Sequence, residues 1–129
     1  MNNGKFSQED YQFVSNWLQQ HCYGREHARF RENEADPNKG ILPYMPERIT
    51  DRKFRFIVSA LVHEGRVYSS SAWGYFFMPP VYPTAYDIAA AKKALAERKT
   101  KALSTIEKVD FLMKKVDELE QGVRDLFTE

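Results

Sequence analysis

The chain has 129 residues, 43% of them apolar, 14% aromatic and 29% charged, which suits one domain with a short appendage and a core needing no staples. Nineteen Lys and Arg against eighteen Asp and Glu leave a formal charge of +1. That balance excludes a histone-like polycation and an acidic solvating tail, but not a locally basic face. One cysteine, Cys22, excludes an intramolecular disulfide framework and a thiolate metal cluster, and it fits a reducing compartment. Met1–Lys5 lacks the apolar core of a signal peptide, and no window approaches the ~18 apolar residues of a membrane span, so the expected location is cytoplasmic.

Cutting the chain at its punctuation exposes an uneven charge. Residues 1–47 hold five basic and seven acidic residues, and residues 85–129 hold nine of each. Residues 48–84 hold five basic (Arg48, Arg52, Lys53, Arg55, Arg66) against two acidic (Asp51, Glu64), a sum of +3.

The first predicted element is a helix that Ser7 caps, with Asp10 at the third helical position and Phe6 and Tyr11 as a hydrophobic staple. Tyr11, Val14, Trp17, Leu18 and Cys22 recur at helical spacing, so this is a core-packing helix, stopped by Gly24. Residues 25–48 predict a short polar helix over Arg25–Ala35 and an irregular insertion near 36–48. Asp36-Pro37-Asn38-Lys39-Gly40 is turn chemistry, and Pro43 and Pro46 forbid a regular helix there.

Thr50 or Asp51 then caps a second strong helix, which runs to about His63. Phe54, Ile57, Val58 and Leu61 fall on one face at i, i+3, i+4 and i+7. Arg52, Phe56, Ser59 and His63 share the opposite face, with Arg55 at its edge. Val67–Ser70 and Tyr75–Met78 are β-prone runs joined by Ser71-Ala72-Trp73-Gly74, a hairpin signal that Pro79, Pro80 and Pro83 terminate. From Thr84, which caps with Asp87, the chain reads as one long helix over 84–129. With Ile88 at heptad position a, that series continues Leu95, Ala102, Val109, Val116, Val123, and the d series runs Ala91, Arg98, Thr105, Leu112, Leu119, Leu126. Val at a with Leu at d over the last three heptads favours a parallel two-stranded coiled coil, and Lys115 at g suits Glu120 at the partner's e. Val109, Leu112, Val116, Leu119, Val123 and Leu126 are therefore the expected dimer seam. The alternative is that the stripe packs back on its own domain.

The order is thus mostly α with a small β-hairpin: helix, short helix, capped helix, hairpin, long helix. Residues 49–78 resemble the winged helix-turn-helix of small phage and prophage DNA-binding proteins. That family carries a "D-R-x-x-R-x-x-I-x-x-L-x-x-E-G" recognition helix and an "I-x-S-S-…-G-Y-F" wing. Asp51, Arg52, Arg55, Leu61, Glu64, Gly65, Ser69, Ser70, Gly74, Tyr75 and Phe76 match it, and Val58 stands where Ile is usual. Gly24-Arg25-Glu26-His27-Ala28 resembles the family's Gly-x-x-Asn-Ala turn, with His27 in place of Asn. The likeness covers about residues 8–80 at fold level. It departs over the long span, interrupted by Pro37, Pro43 and Pro46, that precedes the recognition helix.

The resemblance implies a winged-helix domain over 1–83 that binds double-stranded DNA, with a dimerising helix over 84–129. Arg52, Lys53 and Arg55 would meet phosphates or base edges, Phe56 and Ser59 the groove, and Arg66, Ser70, Ser71 and Trp73 the flanking backbone. Trp73 has a second reading as wing-to-core packing, His63 as an exposed helix end, and Arg52 as an internal brace beside Asp51. Catalysis is not expected. His21, His27 and His63 have no metal-ligand spacing, and His63-Glu64 lacks the second histidine of a zinc protease helix. A phosphate loop and a nucleophile elbow are both missing, and Glu32, Glu34 and Asp36 read as a solvated loop. No cofactor, metal, small-molecule substrate or membrane is expected. The function that the resemblance implies is that of a dimeric DNA-binding protein acting in transcriptional regulation or replication; the alternative is a protein-interaction adaptor that uses the winged helix as a protein-binding surface and the long helix for oligomerisation.

Overall fold

The computed structural model describes residues 6–127, so the reading of Met1–Lys5 lies outside the described residues. The chain is mostly helical, with a two-stranded antiparallel sheet and a long C-terminal helix. It divides into two compact units, the first reaching Ala94 and the second beginning at Leu95.

Helix α1 spans Gln8–His21 and starts as its sequence dictates. Ser7 Oγ accepts from the Asp10 amide at 3.1 Å, and the Phe6 and Tyr11 rings stack with centroids 6.2 Å apart. Helix α2 spans Asp51–His63, and Thr50 rather than Asp51 supplies its capping oxygen, to the Lys53 amide at 3.2 Å. Val14 and Leu18 from the first helix, with Cys22 just after it, meet Phe54, Ile57, Val58 and Leu61 from the second in the main core. Fully burying an aliphatic or aromatic side chain of this kind contributes roughly 1.5–3 kcal/mol, so this contact dominates the stability of the first unit.

The hairpin follows α2 directly. Strand β1 (Val67–Ser70) pairs antiparallel with β2 (Gly74–Phe77), with Val67 opposite Phe77 and Ser70 opposite Gly74. The second strand thus begins one residue earlier than the sequence predicts, because Gly74, at φ 90°, joins the ladder.

The main departure lies between α1 and α2. The expected helix over Arg25–Ala35 does not form; only one 3₁₀ turn, Arg25–His27, is present. Its backbone groups are committed elsewhere. The Gly24 amide donates to the Phe77 carbonyl and the Phe77 amide to that of Cys22, at 2.8 and 2.7 Å. Arg29 and Tyr75 exchange both backbone hydrogen bonds, at 3.0 and 2.8 Å. The segment therefore lies along β2 as an extra pair of bridges, a long-range pairing that no local pattern announces. Beyond it, the Arg31 carbonyl accepts from the amides of Ile41 and Leu42, which closes a loop and seats Ile41 in the core at 0% exposure. The irregular stretch expected near 36–48 holds two further 3₁₀ turns, Pro37–Lys39 and Leu42–Tyr44.

Helix α3 spans Ala85–Phe127. Thr84 and Asp87 cap it reciprocally: the Thr84 amide donates to Asp87 Oδ2 at 2.9 Å, and the Asp87 amide to Thr84 Oγ1 at 3.1 Å. Asp87 Oδ1 also accepts from the Arg25 amide at 2.8 Å, tying the helix start to the turn after α1. Burial pushes the Asp87 carboxyl up, but the amides of Arg25 and Thr84 and the Thr84 hydroxyl outweigh it and hold the group below the usual carboxylate range. Asp87, Ala90, Ala91 and Ala94 form the buried face of these first turns, and the small side chains of Ala90 and Ala91 admit the helix close to the fully buried Phe76. The first compact unit therefore reaches Ala94, inside the helix, because the first turns of α3 pack on the hairpin. Ile88, read as a heptad a position, is exposed there.

Candidate nucleic-acid interface

The side chains around the start of α2 form the most charged constellation of the first unit. Asp10 is buried beneath two cations, with Arg48 Nε 2.8 Å from Oδ1 and Lys53 Nζ 3.4 Å from Oδ2. The Arg48 hydrogen bond, helped by the Lys53 charge and against the cost of burial, holds the Asp10 carboxyl below its usual range. Asp51 is likewise flanked by two. Arg55 grips it with Nη2 at 3.0 Å from Oδ2 and Nε at 3.3 Å from Oδ1. Arg31 Nε lies 3.1 Å from Oδ1, an ion-pair distance, although its N–H is not aimed for a hydrogen bond. Arg52 lies across the Phe56 ring, its guanidinium carbon 5.6 Å from the centroid. Four cations thus flank two carboxylates at a helix N-terminus, with Arg52 as a fifth on the same turn, and the unsatisfied amides add further positive potential.

The expected contact residues do not share one condition. Arg52, Arg55 and Ser59 are exposed on the outer face of α2, as its periodicity requires. Lys53 is half-buried and also donates to the Arg48 carbonyl at 3.2 Å, so it braces the helix start against α1. Phe56 is half-buried and packs against the main core. In the hairpin, Arg66 Nε lies 3.4 Å from Glu64 Oε1, which also accepts from the Tyr11 hydroxyl. Burial first, then the hydrogen bond to Glu64 and its charge, pushes that phenol up to about 12. Ser70 Oγ accepts from the Ala72 amide at 3.1 Å, closing the turn, and Ser71 is exposed. Trp73 is half-buried, 5.1 Å from the Phe76 ring, with the Arg25 guanidinium stacked over it at 5.0 Å. That is the packing reading of this residue, and Arg25 also lies 5.4 Å from the Tyr86 ring.

Sequence reasoning did not select Arg31, Arg48 or Arg25. Arg48 stands two residues before the Thr50 cap and was legible as a helix-start cation. Arg31 and Arg25 arrive only through the non-local pairing of residues 22–42. Among the described residues no group of His, Cys, Asp and Glu could hold a metal ion. The one thiol is unsuited to nucleophilic work, since burial pushes Cys22 up to about 12.

The expected seam lies in the second unit. Val109, Leu112, Val116, Leu119, Val123 and Leu126 are all exposed, from 47% to 78%. Ile106 and Met113 extend the stripe to one side at 54% and 60%. No helix among the described residues is long and apolar enough to cross a membrane. No family model matches the chain, and no curated protein and no solved structure matches it.

Proposed function

We propose that the chain is a non-enzymatic DNA-binding protein of the winged-helix kind, which applies the start of α2 and the β1–β2 hairpin to a duplex and dimerises through α3. The observation that carries this reading is the excess of cations over carboxylates at the N-terminus of α2, where Arg52 and Arg55 are exposed. Phosphate groups complete such an arrangement, since helix N-termini and arginine forks both suit them. The hairpin directly after that helix places exposed Arg66 and Ser71 on a neighbouring element, as a wing requires. The turn-rich segment over 25–48 occupies the position of a second helix in this reading. Transcriptional control or replication in a phage-type setting is the role that the motif over 49–78 suggests.

Dimerisation has its own support. Helices without a packed apolar face are marginal in water, and from Leu95 to Phe127 α3 has no buried residue, so its stripe calls for an occupant. A second copy fits, because Val at a and Leu at d pair in parallel and Lys115 meets the partner helix at the level of Glu120. The same exposed stripe favours the adaptor reading if its occupant is another protein. A gel shift with random duplex decides for the first unit: the Arg52→Gln/Arg55→Gln chain should bind at least tenfold more weakly than the wild type. Equal binding by both refutes the assignment of α2.

A further inference from the structure

The balanced charge of α3 conceals a cluster. Between residues 92 and 101 the helix carries Lys92, Lys93, Arg98, Lys99 and Lys101 against one acid, Glu97. All five cations are exposed, and Lys101 lies 3.9 Å from Glu97. At about 100° per residue the five point to several sides of the helix, and one acid cannot balance them through i,i+4 pairing. Ten helical residues rise ~15 Å, a length over which a DNA duplex carries about nine phosphates.

The same stretch is where the apolar seam fails. Arg98 and Thr105 occupy d and Ala102 occupies a, so two copies joined over Val109–Leu126 do not close over residues 98–105. From Val109 onward the balance reverses, with Asp110, Asp117, Glu118, Glu120, Asp125 and Glu129 against Lys114, Lys115 and Arg124. Cations therefore stand on the N-terminal side of the seam, and in a parallel pair both sets emerge at the same end. Among these cations Leu95 is the only large apolar side chain, so the surface offers charge without the buried anchors that protein partners use.

We infer that residues 92–101 form a second phosphate-binding segment, which parallel pairing through Val109–Leu126 doubles and turns toward duplex DNA. This rests on the DNA-binding reading above and adds a surface to it. The test is fluorescence anisotropy of random duplex with the full chain over a salt series. The variant is Lys92→Gln/Lys93→Gln/Arg98→Gln/Lys99→Gln, in which glutamine keeps the helix propensity. Each lost phosphate contact lowers the slope of log affinity against log salt by about 1, so the expected fall is ~2–4 per chain. If circular dichroism shows lost helix, Lys92→Gln/Lys99→Gln carries the same test with an expected fall of ~1–2. An unchanged slope in a well-folded variant overturns this inference and leaves the α2 reading standing. Failure of the wild type to bind at low salt overturns both, and so does wild-type binding to phosphatidylserine vesicles with none to duplex.

Discussion

Replacing Gly74 by alanine probes the pairing that displaced the expected second helix. A Cβ at Gly74 would lie 2.3 Å from the Arg29 carbonyl oxygen, 2.5 Å from its carbon and 2.7 Å from the Phe30 nitrogen. All three are backbone atoms, so no flexible side chain can give way. Residue 29 must retreat from β2, and its two hydrogen bonds with Tyr75 go with it, at roughly 0.5–1.5 kcal/mol each. Alanine at this φ of 90° adds about 1–2 kcal/mol of strain, for an expected loss of ~2–5 kcal/mol. Gly65 is the control, because its φ is 77° and the nearest atom to a Cβ there is the Tyr68 hydroxyl at 3.7 Å. Gly65→Ala should therefore cost only the strain, about 1–2 kcal/mol. Urea unfolding followed by the fluorescence of Trp17 and Trp73 measures both variants. Equal losses would refute the close approach of residues 29 and 30 to the hairpin.

Acid stability follows from Asp10 and Asp87, whose carboxyls are both held below their usual range in the fold. The unfolded chain then binds protons more readily, so their contribution is complete above the ordinary aspartate value of about 3.9 and is lost as the pH falls below it. Asp10→Asn should flatten part of that decline in urea midpoints between about pH 5 and pH 2, and an unchanged decline would refute the role given to Arg48. In the seam, Leu119→Asp places a charge at a d position and should convert the dimer to monomer in light scattering. A wild-type chain that is itself monomeric at high concentration would refute the pairing.

The parts of the fold that sequence made legible are those whose signals are local. Ser7, Thr50 and Thr84 each bond an amide three residues on, so capping chemistry placed the three helix starts. Val67–Ser70 and the glycine of the turn similarly announced the hairpin. Residues 25–48 were opaque because their backbone partners lie on β2, about fifty residues away, and in the loop that Arg31 closes. Ala91 was read as a d position of the heptad series, yet the small size of Ala90 and Ala91 is what lets α3 approach the hairpin, with Phe76 packed against both. The site was partly legible. Periodicity set Arg52, Arg55 and Ser59 outward, while the bracing of Lys53 by Asp10 and the stacking of Arg25 on Trp73 depend on tertiary neighbours. Counting residues 85–129 as one block also averaged away the cations at 92–101.

DNA binding itself is tested by the affinity of the wild-type chain for random duplex, by anisotropy at about 50 and 200 mM salt. Binding is expected at the lower salt and should weaken by at least tenfold at the higher, as counterion release requires. No binding at 50 mM salt, or an affinity indifferent to salt, would contradict it.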